Sequence, residues 1–114
     1  MRKDDVIRLK HMLDAAKEAC SFASVKNRSD LDNNRQLALA LVKDIEIIGE
    51  AASKVSQETK TKHPAIPWLD IINMRNRLIH AYFDIDLEIV WDTATKDLLP
   101  LVAELEKIAG FEKK

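Results

Sequence analysis

The stretch "NNRQLALALVKDIEIIGEAASKVS", Asn33 to Ser56, decides the fold class. An α-helix advances about 100° per residue, so residues three and four apart share a face. Leu37, Leu41, Ile45, Ile48, Ala52 and Val55 keep that spacing and form one apolar stripe. Gly49 interrupts it, at a cost to the helix of about 1 kcal/mol relative to alanine. With Ala51 and Ala52 it makes a thin surface that invites close approach by another helix or another chain, and internal packing is the expected use. Asp44 intrudes beside the Leu41–Ile48 line and is a candidate partner for a buried cation.

The same spacing extends in both directions. Upstream, Asp4 to Lys26 carries the stripe Val6, Leu9, Leu13, Ala16, Cys20 and Ala23, and Asp4 or Asp5 can cap its start. "NRSDLDNN" between the two reads as a polar turn. Downstream, "QETKTKHPAIP" reads as a linker, because Pro64 and Pro67 stop a helix from crossing it. Pro67 suits the first turn of a third helix, from Trp68 to about His80 or Tyr82. A fourth helix starts near a capping Asp86 and buries Val90, Trp91, Ala94, Leu98, Leu101, Leu105 and Ile108. Pro100 should kink it, and Gly110 sits where a helix end uses a left-handed residue. The expected architecture is all-α: an up-down four-helix bundle with a short third helix, one domain over residues 1–114. The thin helix faces favour a homodimer.

Composition agrees. Two glycines and three prolines are too few for an all-β chain, and 32% charged residues suit the solvated faces of amphipathic helices. A net charge of −1 excludes nucleic-acid binding through bulk charge, so any such contact must be a local patch. One cysteine, Cys20, allows no intramolecular disulfide and is expected to serve packing. The start "MRKDDVIRLK" has no apolar signal core and no apolar run reaches membrane-span length, so a soluble cytoplasmic protein is expected. His11 and His63 are expected in solvent and in the linker. The three histidines lack metal-ligand spacing, so neither a metal nor a cofactor is expected. Trp68 and Trp91 read as core, and "KDIE" and "ETKTK" as solvated faces.

The third helix is the exception. "MRNRLIHAYF", Met74 to Phe83, places Arg75 amid Trp68, Ile71, Ile72, Ile79 and Tyr82, all within about 60° on the wheel. A guanidinium there must have partners, because breaking a buried charge pair costs about 3–5 kcal/mol. Asn76 and His80 fall at about 100° and 140°, along one edge, and Arg77 at about 200° points to the surface. A phosphate along that edge could meet Arg75, Asn76 and His80. Two facing copies would supply two histidines, one to take the proton of an RNA 2′-hydroxyl and one to protonate the leaving 5′-oxygen. Arginine can hold the phosphate. Spacing alone leaves a structural use open: a buried arginine–carboxylate pair and a helix-terminal histidine.

"MRNRLIHAYF" resembles the Arg-x4-His-x-Tyr signature of HepT-like proteins in the HEPN superfamily, with Arg75, His80 and Tyr82 at the fixed positions and Asn76 at the usual polar one. "IIGEAASKVS", "IPWLDIINMRN" and "DLEIVWDTATKDLLPLV" resemble further family blocks in family order. The resemblance implies a dimeric helical bundle with a composite cleft between the two signature helices. It implies a metal-independent endoribonuclease, with Arg75 and His80 catalytic and Asn76 in support. It further implies the toxin of a toxin–antitoxin pair, silenced when an MNT-type nucleotidyltransferase antitoxin transfers AMP to Tyr82. The alternative is a non-catalytic helical dimer that binds a nucleotidyltransferase or a nucleotide, with Arg75 and His80 structural.

Overall fold

Because each apolar stripe can be buried only against another stripe, the long segments become helices that pack on one another. The computed structural model describes residues 1–81 and 84–109, with the backbone alone described at Arg75, Ile79, His80, Ala81 and Ala109. The elements are α1 Lys3–Ala23, α2 Arg28–Asn33, α3 Arg35–Lys54, α4 Gln57–Lys62, α5 Trp68–Leu78, β1 Ile79–Ala81, β2 Asp84–Ile85, α6 Leu87–Asp92, a π-helical turn Thr93–Asp97, and α7 Leu98–Ala109. The chain is mostly helical, and the two short strands pair antiparallel. Among the described residues, no helix is long and apolar enough to cross a membrane.

α3 buries its whole expected stripe, Leu37, Leu41, Ile45, Ile48, Ala52 and Val55. α1 differs. Its buried face is Leu9, Met12, Leu13, Ala15, Ala16, Ala19 and Ala23, while Val6 and Cys20 are only half-buried. The reason is that α1 packs against both α3 and α7, so a wide arc rather than one line is covered. The small alanines let the neighbouring helices come close. Leu87 to Ala109 forms one helical column whose residues Val90, Ala94, Leu98, Leu101, Leu105 and Ile108 are buried. Trp91 packs at the edge of the core and Trp68 is buried in it.

Two short helices occupy segments expected to be irregular. α2 forms in the polar turn because the Asn27 N–H donates to the Asp30 carboxylate at 2.6 Å and Leu31 reaches the core. α4 forms in the linker because the Ser56 hydroxyl accepts from the Thr59 N–H at 3.3 Å. The break in the last column lies upstream of Pro100. The Leu98 N–H reaches back five residues to the Thr93 carbonyl, the π pattern. Pro100 has no N–H to offer the Lys96 carbonyl, so the helix ahead of it is free to widen. Gly110 lies outside the described residues.

Asp5 does not cap α1; Arg2 stands at that position without a side-chain cap. Its buried carboxylate instead accepts the Ser56 N–H at 2.9 Å, the Ser56 hydroxyl at 2.6 Å and the Thr59 hydroxyl at 2.7 Å. Burial pushes the Asp5 pKa up, but the hydrogen bonds from Ser56 and Thr59 outweigh it and hold the group below the ordinary carboxylate value of 3.8. The start of α1 is thereby tied to the junction of α3 and α4. A depressed pKa contributes stability that is present above the unfolded value and is lost as pH falls through the folded one. Asp5→Ala is therefore expected to lower stability by about 2–3 kcal/mol at neutral pH. In urea titrations its deficit should shrink toward zero as pH is taken below that 3.8 reference value. A deficit that stays constant with pH would count against this account.

Candidate active site

α5 carries Arg75 and Asn76, so its placement comes first. The Trp68 indole N–H donates to the His63 carbonyl at 3.0 Å, and the Ile71 N–H takes the Pro67 carbonyl at 3.0 Å. These bonds fix the start of the helix just after the proline pair. Gly49 of α3 then allows close approach along its side. A Cβ added at Gly49 would lie 3.2 Å from the Ile71 carbonyl oxygen and 3.8 Å from that of Ile72. The thin surface thus serves internal packing between α3 and α5. Met74 and Leu78 are buried, and the Met74 sulfur receives the Thr93 hydroxyl at 3.4 Å. Asn73, Asn76 and Arg77 are exposed.

α5 ends at Leu78, short of the expected His80 or Tyr82. The Leu78 carbonyl accepts the Asp86 N–H at 2.6 Å. Beyond it the chain runs as β1 and returns as β2, so His80 lies on a strand and its helical-wheel angle does not apply. Ile79 pairs with Ile85 and Ala81 with Asp84. Between these pairs β1 advances two residues while β2 advances one. The extra residue falls in the step that contains His80, and such bulges redirect a strand locally and recur beside active sites. Asp86 caps α6 as expected, accepting the Ile89 N–H at 3.1 Å. The proposed histidine thus sits between two fixed ends, the last turn of α5 and the first turn of α6. The side chains of Arg75 and His80, and all of Tyr82, lie outside the described residues.

Asp44 faces α1. It is buried and meets Glu18 there, while its second oxygen has no hydrogen-bond partner among the described residues. Burial, then the hydrogen bond and negative charge of Glu18, push its pKa up to about 7. The wheel explains the direction. With Gly49 facing α5, Asp44 lies about 220° away, toward α1. Its position therefore gives no support to Asp44 as the structural partner of Arg75.

Arg77 is exposed as expected, and its guanidinium donates to the Met74 sulfur at 3.6 Å. It stands at the mouth of a cavity of about 460 Å³ between α3, α5, the π turn and α7, with Ile45, Ile48, Ile71 and Leu101 on its walls. Sequence reading missed this cavity, because helical spacing does not show where packed helices leave a gap.

The family described as "Ribonuclease HepT-like" matches residues 12–108. A "Probable ribonuclease HepT" from Thermococcus cleftensis is 37% identical over 75 residues, covering 66% of this chain and 68% of that protein. A protein named as a candidate RNase from Caldanaerobacter subterraneus subsp. tengcongensis is 36% identical over 109 residues, covering 92% of this chain and 94% of its own length. A Methanocaldococcus jannaschii protein, whose name joins gamma-glutamylcyclotransferase to a candidate RNase, is 36% identical over 108 residues. The chain spans 49% of its length. No solved structure matches the chain.

Two substitutions check the geometry. Gly49→Val puts a branched side chain against the Ile71 carbonyl and is expected to cost about 1–3 kcal/mol in urea unfolding; an unchanged midpoint would contradict the close approach. Asp44 has a raised folded pKa, so its contribution is most favourable below the unfolded value near 3.8 and declines as pH rises toward about 7. Asp44→Asn should therefore stabilise the protein above neutrality, by about 1–2 kcal/mol, and flatten the pH dependence in that window.

Proposed function

The chain belongs to the HepT-like ribonuclease family, and on that premise we propose that it is a metal-independent RNA endonuclease whose reaction centre is built from Arg75, Asn76 and His80. The observation that carries this reading is the family match over residues 12–108, which spans all three positions. Arg75 and Asn76 lie on the last turns of α5, and His80 follows at once on the bulged strand. That order puts a cation and a proton carrier on adjoining, separately anchored elements.

The chemistry follows from the residue types. The 2′-oxygen attacks the neighbouring phosphorus, and the bond to the 5′-oxygen breaks. One imidazole takes the 2′-hydroxyl proton, and a second protonates the leaving 5′-oxygen. The products are a 2′,3′-cyclic phosphate and a 5′-hydroxyl. The guanidinium of Arg75 holds the phosphate oxygens as charge grows on them. Asn76 adds a hydrogen-bond donor. Two imidazoles require two protomers, so the working form is a homodimer with both α5–β1 corners lining one cleft. The 2′-hydroxyl requirement restricts the reaction to RNA.

The physiological setting we infer is the cytoplasm, as the toxin of a pair whose antitoxin is an MNT-type nucleotidyltransferase. Tyr82 is two residues beyond His80. AMP carried on its oxygen would bring a bulky anion to the cleft and repel an incoming phosphate.

Incubation of the purified chain with RNA in excess EDTA should give cyclic-phosphate ends. His80→Ala should lose at least about a hundredfold in rate while keeping the wild-type melting curve. Equal cleavage by the two proteins would sink the proposal. Co-expression with the nucleotidyltransferase should add mass in AMP increments to the wild type and none to Tyr82→Phe. An unmodified wild-type chain under ATP-replete conditions would remove the control step.

A further inference from the structure

α3 has one exposed side, and it does not face the cavity. With Gly49 directed at α5, Ile45 and Ile48 turn toward the cavity. Glu46, Glu50, Lys43 and Lys54 occupy the other side, between about 60° and 140°, and Ala51 meets α1 near 200°. On α5 the cavity side is Asp70, Ile71, Met74 and Arg77, and Asn76 lies about 150° from its centre. The side of α5 that carries Asn76 and the charged strip of α3 therefore share one surface of the molecule, opposite the cavity.

On that surface α1 and α3 enclose a groove of about 300 Å³, lined by Arg8, His11, Lys43 and Lys54 and floored by Ile47 and Ala51. Glu46 and Glu50 also line it. Glu50 is engaged by Lys54 at 3.1 Å. Arg8 and Lys43 have no carboxylate partner among the described residues. Arg8 is half-buried, while Lys43 and His11 are exposed. In a chain with net charge −1 the groove sets three cations, Arg8, Lys43 and Lys54, against two carboxylates, Glu46 and Glu50, a local excess of positive charge.

We propose that the α1–α3 groove holds the phosphate backbone of the RNA strand on one side of the scissile phosphate, with Arg8 and Lys43 as the two anchoring cations and His11 beside them. The proposal rests on the nuclease reading and adds a path for the substrate. The groove is wide enough for a phosphate with its sugar, and no Phe, Tyr or Trp lines it to serve as a stacking platform for successive bases. It should therefore position the strand without reading sequence.

The test measures binding apart from cleavage. A short single-stranded RNA with 2′-O-methyl groups throughout cannot be cut by this chemistry, and its affinity for the full chain is followed by fluorescence anisotropy across a salt series. Arg8→Glu/Lys43→Glu should weaken binding by roughly tenfold or more, and its slope of log affinity against log salt should fall by about 1.4, two phosphates at about 0.7 each. Arg8→Gln/Lys43→Gln should show the same slope change and guards against loss of fold in the reversed pair. Lys60→Glu/Lys62→Glu on α4 changes net charge equally and should leave the slope near wild type. Equal effects from the α4 pair and the groove pair would overturn the proposal, as would unchanged affinity in the groove variants. Loss of cleavage of ordinary RNA in wild type with groove-dependent binding intact would instead sink the nuclease reading alone.

Discussion

The approach of α3 to α5 at Gly49 is the contact on which the rest of the arrangement depends. A side chain at that position would meet the Ile71 carbonyl, so the separation of the two helices is set by backbone rather than by an adjustable side chain. With that distance fixed, Met74 and Leu78 drop into the core, α5 stops where the Leu78 carbonyl meets the Asp86 N–H, and the chain turns into the bulged strand at His80. Both α5 and the strand that follows it inherit their position from one missing Cβ. The loss of helix propensity at glycine, about 1 kcal/mol, is small beside the overpacking that a larger residue would cause.

Two buried aspartates show how context decides the direction of a pKa shift. Asp5 and Asp44 are both 2% exposed. Asp5 accepts three hydrogen bonds from Ser56 and Thr59 and stays ionised more readily than usual. Asp44 faces another carboxylate and gives up its proton less readily than usual. The first ties α1 to the α3–α4 junction across 51 residues of chain. The second places a like-charge contact between α1 and α3, where any loss of the proton repels the two helices.

Long-period features were legible from sequence. The stripe of α3 was buried whole, but α1 and α3 are each flanked by two helices, so α3 also buried Ala38, Val42 and Ala51, and α1 buried Met12, Ala15 and Ala19 beyond its expected line. The cap at Asp86 and the internal use of Gly49 could be read because each depends on a few neighbouring residues. Short features were not legible. Three residues of β1 and two of β2 hold too little alternation to register, and Ile79 and Ala81 continue a helical pattern perfectly well. α2 and α4 owe their existence to Asn27–Asp30 and Ser56–Thr59 bonds inside segments whose composition reads as turn. The candidate centre was found through its resemblance to a family, since Arg75 and His80 alone also fit a structural pair. Arg8 and Lys43 were invisible as a pair, because each looks like one more charge on a solvated helix face.

The π turn has one more implication. It closes a ring of five residues where an ordinary turn closes one of four, so the column from Leu87 to Ala109 holds a residue more than a continuous α-helix of the same phase would require. The surplus behaves like an insertion absorbed in place. Removing one residue between Thr93 and Asp97 would restore regular winding and leave everything downstream in its present phase. Leu98, Leu101, Leu105 and Ile108 would keep their places in the core, and Leu99 would stay exposed. These five positions are therefore where the column can lose one residue with least disturbance to its packing.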